Sequence, residues 1–399
     1  MSRLDRAFPA TTSSLVSPLF VFMAVLGPMT TVPALRRLII DAHHGTPLLL
    51  HSFVAAGMLG SVIGAPLLGS LADARGGKLA LAAKLAALDA LVTLLSAAPL
   101  PTPVLFALRP LHGGASVGVL SLLFASFRGS RRALVSRGGA AAIAALALGP
   151  ALGGALSRFG AGAPFLAAGG LTLGLSLVLA RQARSQTRFE AIFERPEAGG
   201  SIVDTARRLA APLLLVAAQR FAFGGLVAAF ALHARSSLGF SDAKVGMCFS
   251  TLLLAFALGT YGLGRSRNVR RLVSFVVPGS LLFGASLAAL SCAPARFVVP
   301  TLALCGACAA LVYAPCLAIV AAHSAKRARA TSLSLLHAAG AAGMLLGPLG
   351  GVACEVFLRG QSDEARSRAF LIAAGVLSAL VACLLSNEVS QSARRAAAW

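Results

Sequence analysis

The chain has 399 residues, of which 57% are hydrophobic and 12% charged. That is about half the charged share of a soluble globular domain, so an ordinary water-soluble fold is excluded. The net charge of +22 is of the size that accompanies nucleic-acid binding, but the basic residues stand in short clusters between apolar runs, not along one polar face, which excludes that partner too.

About 20 apolar residues at 1.5 Å rise cross the roughly 30 Å hydrocarbon core of a bilayer, and runs of that order follow one another along the whole chain. The expected spans are Ser13–Leu35, Pro47–Leu68, Leu79–Ala98, Pro103–Phe127, Ala133–Leu156, Ala163–Ala180, Ala211–His233, Ala243–Leu263, Leu272–Cys292, Phe297–Ala322, Thr331–Phe357 and Arg368–Ser386. The first is longer than the apolar core of a cleaved leader and ends at Arg36 and Arg37, so it is expected to stay as a span. With the N-terminus inside, the inner segments hold more than twice as many Lys and Arg as the outer ones. Cytoplasmic loops carry that excess, which places both chain ends in the cytoplasm.

The stretch from Arg181 to Arg208 carries Glu190, Glu194, Glu197, Asp204, Pro196 and the pair Gly199-Gly200; it reads as a cytoplasmic linker, part of it helical. It divides the chain into a six-helix bundle at 1–181, the linker at 182–210 and a second six-helix bundle at 211–399. The halves share a motif. LGPALGG in the fifth span places Gly149, Pro150, Gly153 and Gly154, and LGPLGG in the eleventh places Gly347, Pro348, Gly350 and Gly351. Glycines let helices approach closely and proline removes a helix hydrogen bond, so each motif reads as a hinge and seal, or as plain helix packing. Repeated halves predict an all-α integral membrane protein with twelve transmembrane helices in two pseudo-symmetric bundles around a central site.

Few residues interrupt the apolar runs. Between the second and third spans stands GSLADARGGK, with Gly69, Asp73, Arg75, Gly76 and Lys78. The glycines permit a tight turn, and Asp73, near the start of the third helix, is placed to cap free amides; the loop is either a conformational switch or a determinant of orientation. Arg109 lies inside the fourth span with His112 three residues on, on the same face. A central arginine costs roughly 2.5 to 3.5 kcal/mol to insert, so Arg109 is either compensated or reaches to the interface. Arg220 falls near the middle of the seventh span beside Gln219. A buried cation needs a partner, and the one acid deep in a span is Asp89 in the third, which is alternatively paired with Lys84. A net positive cavity, with Arg220 holding an anionic substrate group and Thr30, Thr31 and Tyr313 adding neutral contacts, is the hypothesis that follows.

Several of these patterns are similar to those of the major facilitator superfamily. GSLADARGGK resembles its signature loop at Gly69, Leu71, Ala72, Asp73, Gly76 and Lys78, with Arg75 standing in for basic residues the family has where this chain has Ala74 and Gly77. Leu105, Arg109, His112 and Gly113 resemble the fourth-span pattern of proton-coupled members, with His in place of Gln. Gly149-Pro150 with Gly153-Gly154 is similar to the antiporter motif, and Leu26, Gly27 and Pro33 to the first-span pattern of twelve-span exporters. The resemblance implies that Asp73 latches the bundles on the cytoplasmic side, that Arg109 and His112 couple protons, and that Arg220 borders the cavity.

Other matches look catalytic. Ser116 in GASVG fits G-x-S-x-G, with His337 on another span as a conceivable base, but the strand-to-helix elbow that motif requires is absent. Cys305 and Cys308 form a lone C-x-x-C, and the seven cysteines read as small hydrophobes with no metal site. The Ala-, Arg- and Gly-rich composition points to a bacterial inner membrane, and the resemblance implies a monomeric, non-enzymatic secondary transporter, which exports a small amphipathic drug or metabolite in exchange for protons. It needs no cofactor beyond the proton gradient, and its partners are the substrate, protons and lipid. The alternatives are proton-coupled uptake of a small anionic metabolite and an intramembrane serine hydrolase.

Overall fold

A computed structural model describes residues 13–45, 47–127, 130–193, 201–236, 238–266, 268–323, 328–358 and 360–397. The linker residues 194–200 and the basic residues Arg3 and Arg6 of the expected N-terminal cytoplasmic segment lie outside these. Among the described residues there are helices and no strand.

Twelve long helices follow the order of the apolar runs: α1 (Ser13–Thr31), α2 (Pro47–Arg75), α3 (Lys78–Leu95), α4 (Thr102–Ala125), α5 (Ala140–Leu156), α6 (Ala163–Phe193), α7 (Ala210–Ser236), α8 (Asp242–Gly264), α9 (Val276–Cys292), α10 (Val298–His323), α11 (Arg329–Phe357) and α12 (Asp363–Leu384). Among the described residues, ten are long and apolar enough to cross a membrane. The other two are α1, described as apolar only over Pro18–Thr31, and α3, which carries Lys78, Lys84 and Asp89.

The boundaries depart from the runs where local chemistry dictates. α1 stops at Thr31 instead of Leu35 because Pro33 offers no amide to continue the ladder; the chain then turns and passes through a π-helical stretch, Arg37–Ala42. α6 continues to Phe193, because nothing between Arg181 and that point breaks a helix. A final helix, α13 (Ser386–Ala397), follows α12; at 12 residues and with a polar composition, it is not a span.

Packing repeats every six helices. α1 lies on α5 and α7 on α11; α2 lies on α4 and α8 on α10; α3 lies on α6 and α9 on α12. Small residues make each contact close: Ser61 of α2 donates to the Gly113 carbonyl of α4 at 3.0 Å, and Gly284 of α9 meets Gly375 of α12 backbone to backbone. The LGPALGG and LGPLGG motifs serve this packing inside each half. Gly149 and Gly153 admit Met29 and Thr30 of α1, Gly347 and Gly350 admit Phe221 of α7, and Gly154 and Gly351 face open space. The halves meet along α2·α11, α5·α8 and α4·α11.

Candidate functional site

The GSLADARGGK turn lies at one end of this seam. α2 runs through Arg75, and the reversal is made by Gly76 and Gly77, both left-handed with φ of 71° and 63°, a region in which only glycine is unstrained. Asp73 therefore sits on the last turn of α2 and faces α11, not the start of α3, whose N-cap is Gly77. Its buried carboxylate accepts from the Ala330 amide at 3.2 Å, the Thr331 amide at 2.8 Å and the Thr331 hydroxyl at 2.9 Å, with Lys78 Nζ at 3.2 Å. Free amides and the positive end of a helix dipole favour an anion there. Gly69, one turn before, packs so closely on α11 that a Cβ would overlap Ser334 and the Ala330 carbonyl. Arg75 is exposed.

Within the first half, Asp89 of α3 and His112 of α4 form a buried pair, Oδ1 to Nδ1 at 2.7 Å, with Thr93 Oγ1 3.3 Å from the same nitrogen. His112 and Thr93 line a small pocket together with Thr31, Phe53, Arg109 and Phe165. The Arg109 guanidinium lies over the Phe53 ring at 5.1 Å, and its Nε is buried with no hydrogen-bond partner. The acid expected to serve Arg220 or Lys84 thus serves His112, and Lys84 is exposed. Asp89 and Thr93 are four residues apart and share a face, a signal that marks the face without revealing which helix it meets.

In the second half, Arg220 of α7 is boxed by aromatic rings. Its Cζ lies 5.8 Å from the Phe223 centroid, 5.6 Å from Phe256 of α8 and 5.4 Å from Tyr313 of α10, distances at which cation–π attraction operates. It makes no ion pair or hydrogen bond with any described residue. The box borders the seam, since Tyr313 lies beside Gly139 of the opposing half. Of the expected cavity residues, Arg220 and Tyr313 come together. Gln219 turns away and donates to the Ala309 carbonyl at 2.7 Å. The Thr30 and Thr31 hydroxyls donate within α1, to Leu26 and Pro28. His337 of α11 bonds Ser121 at 2.9 Å. Phe256 was not foreseen as a neighbour of Arg220, because contacts between separate apolar helices leave no periodic trace in either.

No family model and no curated protein matches this sequence. Among solved structures, the chain is similar to the human organic anion transporter MFSD10 (TETRAN), at 21% identity and a TM-score of 0.72, over 95% of this chain and all of that one. The chain has the major facilitator fold. That fold accounts for the six-helix repeat of packing, and it sets Asp73, His337 and the Arg220 box along one inter-half seam of a multi-pass membrane protein.

Proposed function

We propose that the protein is a secondary transporter that exports a small amphipathic organic anion in exchange for protons by alternating access. The observation that carries the reading is Arg220: a cation deep in an apolar helix, walled by three rings and without an acid among the described residues. Such a residue is costly in a membrane unless it faces a cavity or meets a counter-ion, and an anionic substrate supplies both charge and apolar body for the rings. The similar solved structure is that of an organic anion transporter, which supports the same class.

Exchange rests on two supports. The Gly-Pro motif of α5 is similar to that of antiporters, and the Asp89–His112 pair is a buried proton acceptor beside Arg109. Gain or loss of a proton by this pair would change the contact that ties α3 to α4. The Asp73 contact holds one side shut, the cytoplasmic side by the Lys and Arg distribution, and the site would open there when the contact breaks.

The test uses proteoliposomes with an imposed pH gradient and a panel of fluorescent aryl carboxylates, sulfonates and their neutral amides. Accumulation of anions but not amides, lost in Arg220→Ala with insertion intact, supports the reading. Equal transport of both by the wild type and by Arg220→Ala refutes it. Proton movement opposite to the substrate marks exchange; movement in the same direction marks uptake by symport.

A further inference from the structure

His337 bridges the two halves and leaves one polar atom unpaired. Its Nδ1 is 2.9 Å from Ser121 Oγ on α4, and its ring meets Phe124 of the same helix edge-on, at 5.2 Å and 82°. Ser121 has one hydroxyl proton, which it donates to the Val117 carbonyl at 2.8 Å. With that proton committed, Ser121 accepts, and the Nδ1 of His337 carries the hydrogen. A neutral imidazole protonated at Nδ1 presents Nε2 as a bare acceptor. Nε2 is buried and has no hydrogen-bond partner.

The chain beyond His337 shows what else that face of α11 meets. Gly340, three residues on and so on the same face of α11, leaves room for Arg220: a Cβ at Gly340 would stand 3.5 Å from Arg220 Cγ and 3.9 Å from its Nε. One donor cluster and one lone acceptor thus adjoin at the seam.

We propose that His337 Nε2 accepts a hydrogen bond from a hydroxyl or N–H that the substrate carries near its anionic group. The preferred class is then hydroxy- or amido-carboxylates with an apolar body, not simple carboxylates. This rests on Arg220 as the anion site. It makes His337 a specificity residue, since a site built to pair a substrate donor discriminates strongly against the analogue that lacks it. Ser121 sets the tautomer from the opposite half, so selectivity is read only while α4 and α11 are in contact.

The test is binding of 2-hydroxy-3-phenylpropionate and 3-phenylpropionate, which differ by one hydroxyl, to the full-length protein in nanodiscs by titration calorimetry. The wild type is expected to favour the hydroxy acid by about tenfold, the ratio one net hydrogen bond supplies. His337→Phe should lower the affinity for the hydroxy acid to that for the deoxy acid and leave the latter unchanged within about twofold. Ser121→Ala, which keeps the ring but frees the tautomer, should reduce the preference and serves if His337→Phe does not fold. If the wild type binds both acids alike, or if His337→Phe weakens both equally, the inference is overturned while the Arg220 reading stands. If Arg220→Ala binds both acids as the wild type does, or the wild type binds neither, the Arg220 reading falls and this inference with it.

Discussion

A carboxylate oxygen of Asp89 stands 2.7 Å from Nδ1 of His112, tying α3 to α4 inside the first half of the chain. The pair is buried, and His112 lines a small pocket with Arg109, which precedes it by three residues on α4. A proton held between the two groups is therefore tied to the contact of α3 with α4.

Asp89→Asn should therefore uncouple protons from substrate. Proton release on substrate addition is expected to fall by about tenfold, corresponding to ~1.4 kcal/mol of coupling, while exchange of labelled substrate without a pH gradient persists. A pH electrode and a counterflow assay on the same vesicles check both halves of the claim. Loss of both activities would make Asp89 a purely structural anchor.

At the seam, Asp73→Asn removes the anion from the N-terminus of α11 and weakens its bonds to the Ala330 and Thr331 amides. Capping and dipole contributions sum to about 1 to 2 kcal/mol, so the population open at that end should rise roughly 5- to 30-fold. Distance measurement between spin labels at Ala74→Cys and Ala328→Cys reports it. An unchanged distance distribution would show that the carboxylate carries no share of closure.

Gly69→Leu should act in the same direction by bulk. A side chain there meets Ser334 and the Ala330 carbonyl, and a packed seam has no slack for it. The same pair of labels should report separation, and transport should stop. Ser334→Ala in the Gly69→Ala background should recover part of the activity, since it removes the hydroxyl in the way.

The paired glycine motifs make a sharper comparison. Gly153→Ala pushes a methyl into the Thr30 carbonyl, and Gly347→Ala pushes one into the Phe221 carbonyl, whereas Gly154 and Gly351 have nothing within 4 Å. Thermal unfolding in detergent should show the first two destabilised by about 1 to 3 kcal/mol. Gly154→Ala and Gly351→Ala are expected to match or slightly exceed wild type, because alanine is the better helix former.

Tyr313 tests the box around Arg220. Tyr313→Phe keeps the ring and should bind aryl carboxylates within about twofold of wild type, whereas Tyr313→Leu loses a cation–π contact worth about 1 to 2 kcal/mol in a desolvated site, roughly a tenfold loss of affinity. Calorimetric titration distinguishes them. Equal affinity in Tyr313→Leu would remove the ring from the site.

The order of the helices was legible because each needs its own apolar run, and the LGPALGG repeat showed the doubling before any contact was known. The Gly76-Gly77 reversal was likewise written in residue type, since only glycine accepts left-handed dihedrals freely. What could not be read was the choice of partners across helices. Asp89 had two candidate cations, Arg220 and Lys84, and only the crossing of α3 on α4 selects His112. Asp73 was expected to cap the helix it precedes; α2 instead runs through Arg75 and turns the same carboxylate toward α11. The rings around Arg220 come from α7, α8 and α10, and no single run records their convergence.

Asp73 grips mainly the main chain of its partner, for two of its three acceptor bonds across the seam go to amide groups that every residue but proline possesses. The strength of that clasp is consequently almost blind to mutation on the α11 side, where only the Thr331 hydroxyl offers an adjustment. Retuning that clasp must fall to the other side of the contact, through the acid itself and the glycine of α2 that sets how near the two rods lie, or through the lysine that opens α3.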